Sequence, residues 1–508
     1  MTILNTLAEN AIRYPDRKMM VSCYRSNKQE LTWSELHEYS DYVASWMDEH
    51  LHTKTPVVVY GHKNPLMIVC FIACVKSGRA YCPIDVNVPL ARVEAIIGEV
   101  HPELILCTEK LDIESPNIVE LFDKSGLSRF GKKRISEEKY VSSEDVFYII
   151  FTSGSTGTPK GVQITRDCLD NFISWASALG SGIDEDKHYT FLNQAPFSFD
   201  LSVMDLYLCL YSGGTLWALS KELQSDIKSL YNSLGESNVN KWISTPSFAD
   251  VCLTDPMFSS NLMPELTDFL FCGEILTNKT VKRLHSRFSD SYVVNTYGPT
   301  ESTCAVTDVI ISSEINEKYS PLPVGRPKKG TWIRITDENG NELPDGEKGE
   351  IVIVGDSVSV GYWKNAERNE LVFGTTTVQG EKYRFYKTGD EGYLIENMLF
   401  YSGRIDNQVK LHGYRIELED IENNLLKIPG ILQAVVLPRY RDGKVSSLVA
   451  IVVSQDDKFN EDDSDALIKQ ELKKNLPEYM IPKKILFAKD LPRTNNGKID
   501  RKKLGGTI

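Results

Sequence analysis

The sequence predicts an α/β fold, with a large N-terminal domain of layered α/β subdomains and a small, mobile C-terminal α+β domain. Three observations predict it. The chain has 508 residues, 41% of them hydrophobic and 25% charged, an ordinary folded composition with material for several domains at ~150 residues each. Short β-rich runs alternate with helical stretches through the first four hundred residues, the pattern of strands covered by helices. The last hundred residues change character.

Taken in order, Ile3, Leu4, Leu7, Ala8, Ala11 and Ile12 have the spacing of an amphipathic helix. Residues 57–60, Val-Val-Val-Tyr, read as a buried strand, and the apolar run 66–75 reads as a buried helix. That run is too short for the ~20 residues needed to cross a bilayer. Residues 146–151 form a further apolar strand that runs straight into a Gly/Ser/Thr loop. Near the end, Leu418, Ile421, Leu425 and Ile428 mark a helix that Pro429-Gly430 stops. Strands follow over 431–438 and 445–453, joined by a turn at Asp442-Gly443. A second helix is expected over 464–476, ending at Pro477. The polar stretch Gly403-Arg-Ile-Asp-Asn-Gln408 has little to bury. The expected organisation is therefore an N-terminal domain over 1–402, a hinge over 403–408 and a C-terminal domain over 409–508.

Composition removes several function classes. Lys and Arg total 57 against 70 Asp and Glu, a formal charge of -13; such a chain has no cation surplus for nucleic acid or anionic membranes. None of the ten cysteines forms a CxxC pair, and none lies beyond Cys304, which fits a reducing compartment better than a disulfide scaffold. Cys70 and Cys74 share a helix face inside the apolar run, where packing explains them. His50-x-His52 is the only close histidine pair and has no acid or thiol cluster around it. The N-terminus has neither a basic region nor an apolar core of signal-peptide type. The expectation is a cytoplasmic protein without a membrane span.

The strongest chemical signal is Phe151-Thr-Ser-Gly-Ser-Thr-Gly-Thr-Pro-Lys-Gly161. Glycines let backbone approach an anion, hydroxyls and amide N–H groups donate to phosphate oxygens, and Lys160 adds charge. The plain alternative is a Ser/Gly surface loop, although few such loops follow a buried strand and end in Pro-Lys-Gly. Pro159 stands where GxxxxGK[ST] needs glycine, and the loop matches neither GxGxxG nor GxSxG. It is a phosphate loop of another kind.

Further segments follow in order: Lys76-Ser-Gly-Arg-Ala-Tyr-Cys-Pro-Ile-Asp85, Asn295-Thr-Tyr-Gly-Pro-Thr-Glu301, Tyr386-Lys-Thr-Gly-Asp390, Gly403-Arg-Ile-Asp406 with Lys410-x-His-Gly-Tyr-Arg415, and Asn496-Gly-Lys-Ile-Asp500. Together with the loop they resemble the adenylate-forming superfamily of acyl-CoA synthetases, nonribosomal-peptide adenylation domains and luciferases. Within it, Leu192-Asn-Gln-Ala-Pro-Phe-Ser-Phe-Asp-Leu-Ser-Val-Met-Asp205, Ser244-Thr-Pro-Ser-Phe248 and Phe269-Leu-Phe-Cys-Gly-Glu274 are most similar to members that activate D-alanine for a carrier protein.

The resemblance implies a reaction in which a carboxylate joins the α-phosphate of ATP, pyrophosphate leaves, and the acyl group moves to the phosphopantetheine thiol of a D-alanyl carrier protein, for D-alanylation of lipoteichoic acid. Two anions must meet, so cations and oriented dipoles are the main requirement. By resemblance Lys498 is the catalytic lysine, touching both ATP and D-alanine; a solvated surface lysine is the ordinary alternative. Thr152 and Ser153 would hold phosphate oxygens. Asn295, Thr296, Tyr297, Gly298, Pro299 and Thr300 would form the turn beneath the nucleotide. There Tyr297 either stacks on adenine or fills a core. Asp390 would accept the ribose hydroxyls, or else merely stabilise a turn. Tyr401, Ser402, Gly403 and Arg404 complete the ATP-binding positions. Glu301 would hold Mg²⁺, a hard cation suited to carboxylate oxygen, unless it serves only as a helix N-terminal acid.

Asp200 defines the substrate, because an ammonium group in an apolar pocket needs an anionic partner; its alternative is an N-cap for the helix starting near Leu201. Cys272 would border the alanine methyl group, with Cys304 across the pocket; relatives are expected to carry an aliphatic residue at position 304, and buried packing is the default for both thiols. Asp406 is the expected hinge residue. Lys483-Lys484 and Arg501-Lys-Lys503 could face an acidic carrier, or be ordinary solvated surface. Two other functions stay open from the residues: adenylation of another small amino acid, and a non-catalytic nucleotide-binding role. A luciferase-type oxygenase gives Asp200 no purpose.

Overall fold

The computed structural model describes residues 2–24, 27–154, 159–441, 443–455, 464–493 and 499–505. These fall into two compact units, one drawn from Met1–Val86, Val100–Ile150 and Gly161–Gly403, the other from Asn87–Glu99, Phe151–Lys160 and Arg404–Ile508. The architecture is α/β, with a large N-terminal and a smaller C-terminal part.

The larger unit holds three sheets. In the nine-stranded sheet the order is Arg326–Pro327, Thr307–Ile310, Tyr292–Tyr297, Asp268–Phe271, Lys241–Ser244, Thr190–Asn193, Thr215–Leu219, Lys18–Tyr24, Asn27–Thr32. Its six central strands are parallel and its edges antiparallel. A six-stranded sheet has the order Ile118–Glu120, Ile105–Cys107, Val57–Gly61, Tyr81–Asp85, Val146–Thr152, Lys160–Thr165. The third sheet is built around Gly349–Gly355 and Glu381–Ile395, paired antiparallel. Strands covered on both faces read as unbroken apolar runs rather than alternating ones, and Val57–Gly61 and Tyr81–Asp85 are buried along their whole length.

The helices follow from the same logic. Trp33–His50 opens with a capping box: the Thr32 hydroxyl accepts from the Glu35 N–H, and the Glu35 carboxylate accepts from the Thr32 N–H. Every residue of Leu66–Lys76 is buried, as a helix apolar on all sides must be. Its terminal Lys76 donates to Asp41 at 2.7 Å, which gives the buried cation an anion.

Parallel strands point their carboxyl ends the same way, and in open α/β sheets ligands bind beyond those ends. Register aligns Asn193 with Ile243, Ser244 with Phe271, and Phe271 with Asn295. The segments 193–200, 272–274 and 295–301 therefore leave the sheet at a common edge.

In the smaller unit a three-stranded sheet orders Ile431–Arg441, Lys444–Ser454 and Lys484–Phe487, a hairpin with one added parallel strand. Helices Leu418–Leu426 and Ser464–Lys473 cover it. Both end earlier than their periodicity predicts. After Lys473 the chain tightens, Lys474 N–H donating to Glu471 C=O and Asn475 N–H to Leu472 C=O before Pro477. The hairpin strands run longer than the apolar pattern suggests; Asp442 of the predicted turn lies outside the described residues.

Candidate active site

The strand Thr190–Asn193 delivers the chain into segment 194–199, and the helix Leu201–Ser212 begins behind it. Asp200 holds the N-cap position with φ -65 and ψ -21, yet its side chain makes no capping hydrogen bond. The first helical turn closes through backbone instead: Ser202 N–H donates to Phe199 C=O and Val203 N–H to Asp200 C=O. Capping therefore does not account for this carboxylate, which is half-buried.

Two thiols stand in the same neighbourhood. Cys272 and Cys304 are buried; the Cys272 Sγ lies 3.6 Å from the Cys304 carbonyl oxygen, to which it donates. The hydrogen bond between the thiols, then burial, then the nearby Asp200 and Asp205 charges, hold the Cys304 thiol well above its ordinary pKa, so it stays protonated and a poor nucleophile. Thr303 and Cys304 both adopt left-handed backbone, φ 63 and 67. This strained turn costs roughly 1–2 kcal/mol per residue and is held by the Thr303 hydroxyl on the Ser357 carbonyl at 2.7 Å. Tyr148 is wholly buried and its hydroxyl finds no partner among the described residues. Burial, then Tyr81, then the nearby Asp200 and Cys304, raise its pKa. The Asp200 carboxylate, two thiols and a phenol thus share one largely apolar neighbourhood, with Asp205 close behind.

The second neighbourhood lies at the end of Tyr292–Tyr297. Asn295 donates to Pro323 C=O and Thr296 to Phe271 C=O, both at 2.8 Å. A Cβ on Gly298 would sit 2.5 Å from the Ala305 Cα, so only glycine fits that backbone approach. Pro299 and the short helix Thr300–Ser302 follow. Tyr297 is buried and its hydroxyl donates to Asp390 at 2.6 Å; its ring centroid lies 6.1 Å from that of Tyr401. Asp390 is 1% exposed, and its N–H donates to the Thr388 hydroxyl. Tyr297 therefore orients the carboxylate expected at the ribose. Tyr401, Ser402 and Gly403 sit half-buried on the strand Met398–Arg404. Glu301 is fully buried, one oxygen accepting from Tyr362 at 2.7 Å. Among the described residues no three acids, histidines or cysteines converge on a metal position. A carboxylate oxygen is the hard donor a magnesium ion would take, and Glu301 is the acid here that would supply it.

The described ends of the Gly/Ser/Thr loop, 151–154 and 159–160, fall in the smaller unit. There the Ser153 hydroxyl donates to Arg415 C=O at 2.8 Å, and the buried Lys160 lies 3.3 Å from Glu417. The Thr152 hydroxyl donates weakly to Lys160 C=O at 3.5 Å. Arg404 grips Asp406 through Nε at 2.8 Å and a second nitrogen at 2.5 Å. Burial pushes the Asp406 pKa up, but Arg404 and the Gln408 N–H bring it below the ordinary carboxylate value. Lys498 and residues 155–158 lie outside the described residues. Lys483 and Lys484 are exposed.

Sequence reasoning passed over Tyr148, Tyr362 and Lys63. Lys63 is fully buried and donates to Asn193 Oδ1 and to Ala195 C=O. The one available signal for it was a charge directly after a buried strand.

The layered sheets, with the motif segments leaving the nine-stranded one at a common edge, are those of an adenylate-forming enzyme. The sequence pattern of the AMP-binding enzymes matches residues 7–363, and that of the AMP-binding enzyme C-terminal domain matches residues 420–498; the chain belongs to this family and is an enzyme of the ligase class. Within the family it stands with the D-alanine–D-alanyl carrier protein ligases. It is 45% identical over 500 residues to the one from Listeria welshimeri, covering 96% of each chain, and 43% identical over 507 residues to the one from Bacillus licheniformis, covering 99% of each. Among solved structures it resembles an NRPS protein containing adenylation and PCP domains, at 26% identity and a TM-score of 0.81, covering 99% of this chain and 84% of that one. Among the described residues no helix is long and apolar enough to cross a membrane.

Proposed function

We propose that the chain activates D-alanine with ATP and then loads it onto the phosphopantetheine thiol of a D-alanyl carrier protein, in the cytoplasm, for D-alanylation of lipoteichoic acid. A carboxylate oxygen of D-alanine attacks the α-phosphorus, the bond to the β-phosphate bridge breaks, and pyrophosphate leaves. The carrier thiol then attacks the acyl carbon of D-alanyl-AMP, and AMP leaves.

The observation that carries the amino-acid assignment is Asp200. Its half-buried carboxylate does no capping and lies close enough to Cys304 and Tyr148 to raise both their pKa values. A zwitterion's ammonium would find an anion in this carboxylate, and Cys272 with Cys304 would border a small side chain. The preference for the D form rests on the relatives. In the nucleotide neighbourhood Asp390, oriented by Tyr297, would accept ribose hydroxyls, and Asn295 to Thr300 would lie beneath the base and phosphates. Thr152, Ser153 and Arg404 would hold phosphate and ribose oxygens. Glu301 would hold Mg²⁺, which when bound offsets charge on the phosphates. Lys498 would bridge the carboxylate and the α-phosphate, and a hinge at Asp406 would change which C-terminal segment serves each half-reaction.

ATP–pyrophosphate exchange with D-alanine, L-alanine, glycine and a short fatty acid, compared side by side, tests the reading. D-alanine should give the highest kcat/KM, and Lys498→Ala should lower it by about 10²-fold or more. Preference for another amino acid would reassign the substrate. Unchanged exchange in Lys498→Ala would remove the catalytic assignment.

A further inference from the structure

Lys63 is a lysine where the core supplies no reason for one. It follows the buried strand Val57–Gly61, its side chain is fully buried, and no carboxylate forms a contact ion pair with it among the described residues. A buried ammonium loses its hydration, and an apolar side chain of similar length avoids that cost. Stability alone does not call for this residue.

Its contacts all converge on one segment. Nζ donates to the Asn193 side-chain oxygen and to the Ala195 carbonyl, and it stands 4.8 Å from the centroid of the Phe197 ring. Asn193 passes the connection on, its side-chain nitrogen donating to Asp205 Oδ1 at 2.8 Å. Asp205 is itself fully buried on the helix Leu201–Ser212, with its second oxygen unpartnered among the described residues. Segment 194–199 is therefore tied at its strand end by Lys63, at its middle by Phe197 against Lys63 and Phe71, and behind its far end by the Asn193–Asp205 bond. That far end is Asp200.

We propose that Lys63 is a positioning residue for the amino-acid pocket, holding Asn193 and Ala195 so that segment 194–199 delivers Asp200 to the substrate ammonium. The inference rests on the D-alanine reading above for its effect on substrate, and on geometry alone for the latch. Lys63 touches no reacting atom; it acts through Asp200. Burial lowers the Lys63 pKa to about 8, with Asp205 and Asp85 opposing that shift, so the side chain remains mostly charged at neutral pH.

The test uses full-length Lys63→Met and Lys63→Met/Asp205→Asn, the second variant removing the partner charge so that the core is not left with a lone carboxylate. Two readouts are compared: amide hydrogen exchange across 190–200, and KM for D-alanine and ATP in pyrophosphate exchange. In the double variant the amides of 194–199 should exchange about tenfold faster or more while those of Leu66–Lys76 are unchanged. The D-alanine KM should rise about tenfold, the size of one lost charge-assisted bond, with the ATP KM within about twofold. Unchanged protection at 194–199 overturns the latch. Loss of protection spread evenly over the larger unit makes Lys63 a plain stabilising residue and overturns it too, and a local loss with an unchanged D-alanine KM overturns the positioning role. A wild-type enzyme without D-alanine-dependent exchange, in the presence of that local loss, refutes the substrate reading and leaves the latch standing.

Discussion

At the scale of single residues, charge placement decides the chemistry. Asp200→Asn keeps the shape of the side chain but removes its charge, so an ammonium entering the pocket loses its counter-ion. D-alanine-dependent pyrophosphate exchange should fall about 10²-fold, chiefly through KM, as expected for a lost ionic partner of about 3 kcal/mol; unaltered kinetics would place the ammonium elsewhere. Lys63 supplies a pH prediction. Its pKa is about 8 in the native protein and roughly 10.4 in an unfolded chain, so between those values the unfolded state binds more protons. Stability due to this group must then rise with pH across that window. Compared with Lys63→Met, the wild type should gain about 2 kcal/mol between pH 8 and pH 10 in denaturant titrations, with Asp205 and the His62-bound Asp85 as the acids facing it. A flat difference would mean that native Lys63 keeps the pKa of the unfolded chain and stays charged across the window. Residue roles were unevenly legible. Asp200 and Asp390 stand inside recognisable strings, whereas Lys63 meets Asn193 only because two sheets bring residues 63 and 193 together, which no local pattern announces.

At the scale of elements, hydrophobic period did most of the work. The helix Leu66–Lys76 and the strands Val57–Gly61 and Val146–Thr152 were readable because each is apolar on every side. The helix ends Leu426 and Lys473 were not, because proline and glycine mark where a helix cannot continue rather than where its last turn loosens. Within the helix Leu66–Lys76, Phe71 stacks on Tyr81 at 4.3 Å and meets Phe197 edge-on at 5.7 Å. Phe71→Ala should therefore cost about 3–5 kcal/mol in unfolding by denaturant. Because Phe197 lies in the segment that leads to Asp200, the same variant should raise the D-alanine KM even at temperatures where it stays folded. A cost below about 1 kcal/mol would show that the site collapses around the gap.

At the scale of the whole molecule, the family motifs were legible and the grouping was not. The loop Phe151–Lys160 and the segment Asn87–Glu99 cluster with Arg404–Ile508, although both lie early in the chain. The proposed joint at 403–408 stood out only by its poverty in apolar residues, and the Arg404–Asp406 pair lies within it. Asp406→Pro restricts backbone rotation there. It should lower one half-reaction about tenfold more than the other, since hinge residues act by absorbing dihedral change. Pyrophosphate exchange and thiol loading from preformed D-alanyl-AMP, measured separately, decide it; equal rates to wild type in both would move the hinge elsewhere.

The nine-stranded sheet carries one more consequence. Strand Lys18–Tyr24 pairs with Asn27–Thr32 on one edge and with Thr215–Leu219 on the other, so as the protein emerges from the ribosome its first hairpin, bearing the fully buried Met19 and Met20, waits with one edge unpaired until residue 219 has been made. Non-local pairing of this kind is slow and leaves sticky surface in the interval. The interval in which that edge stands open therefore grows with the time taken to translate residues 33–219.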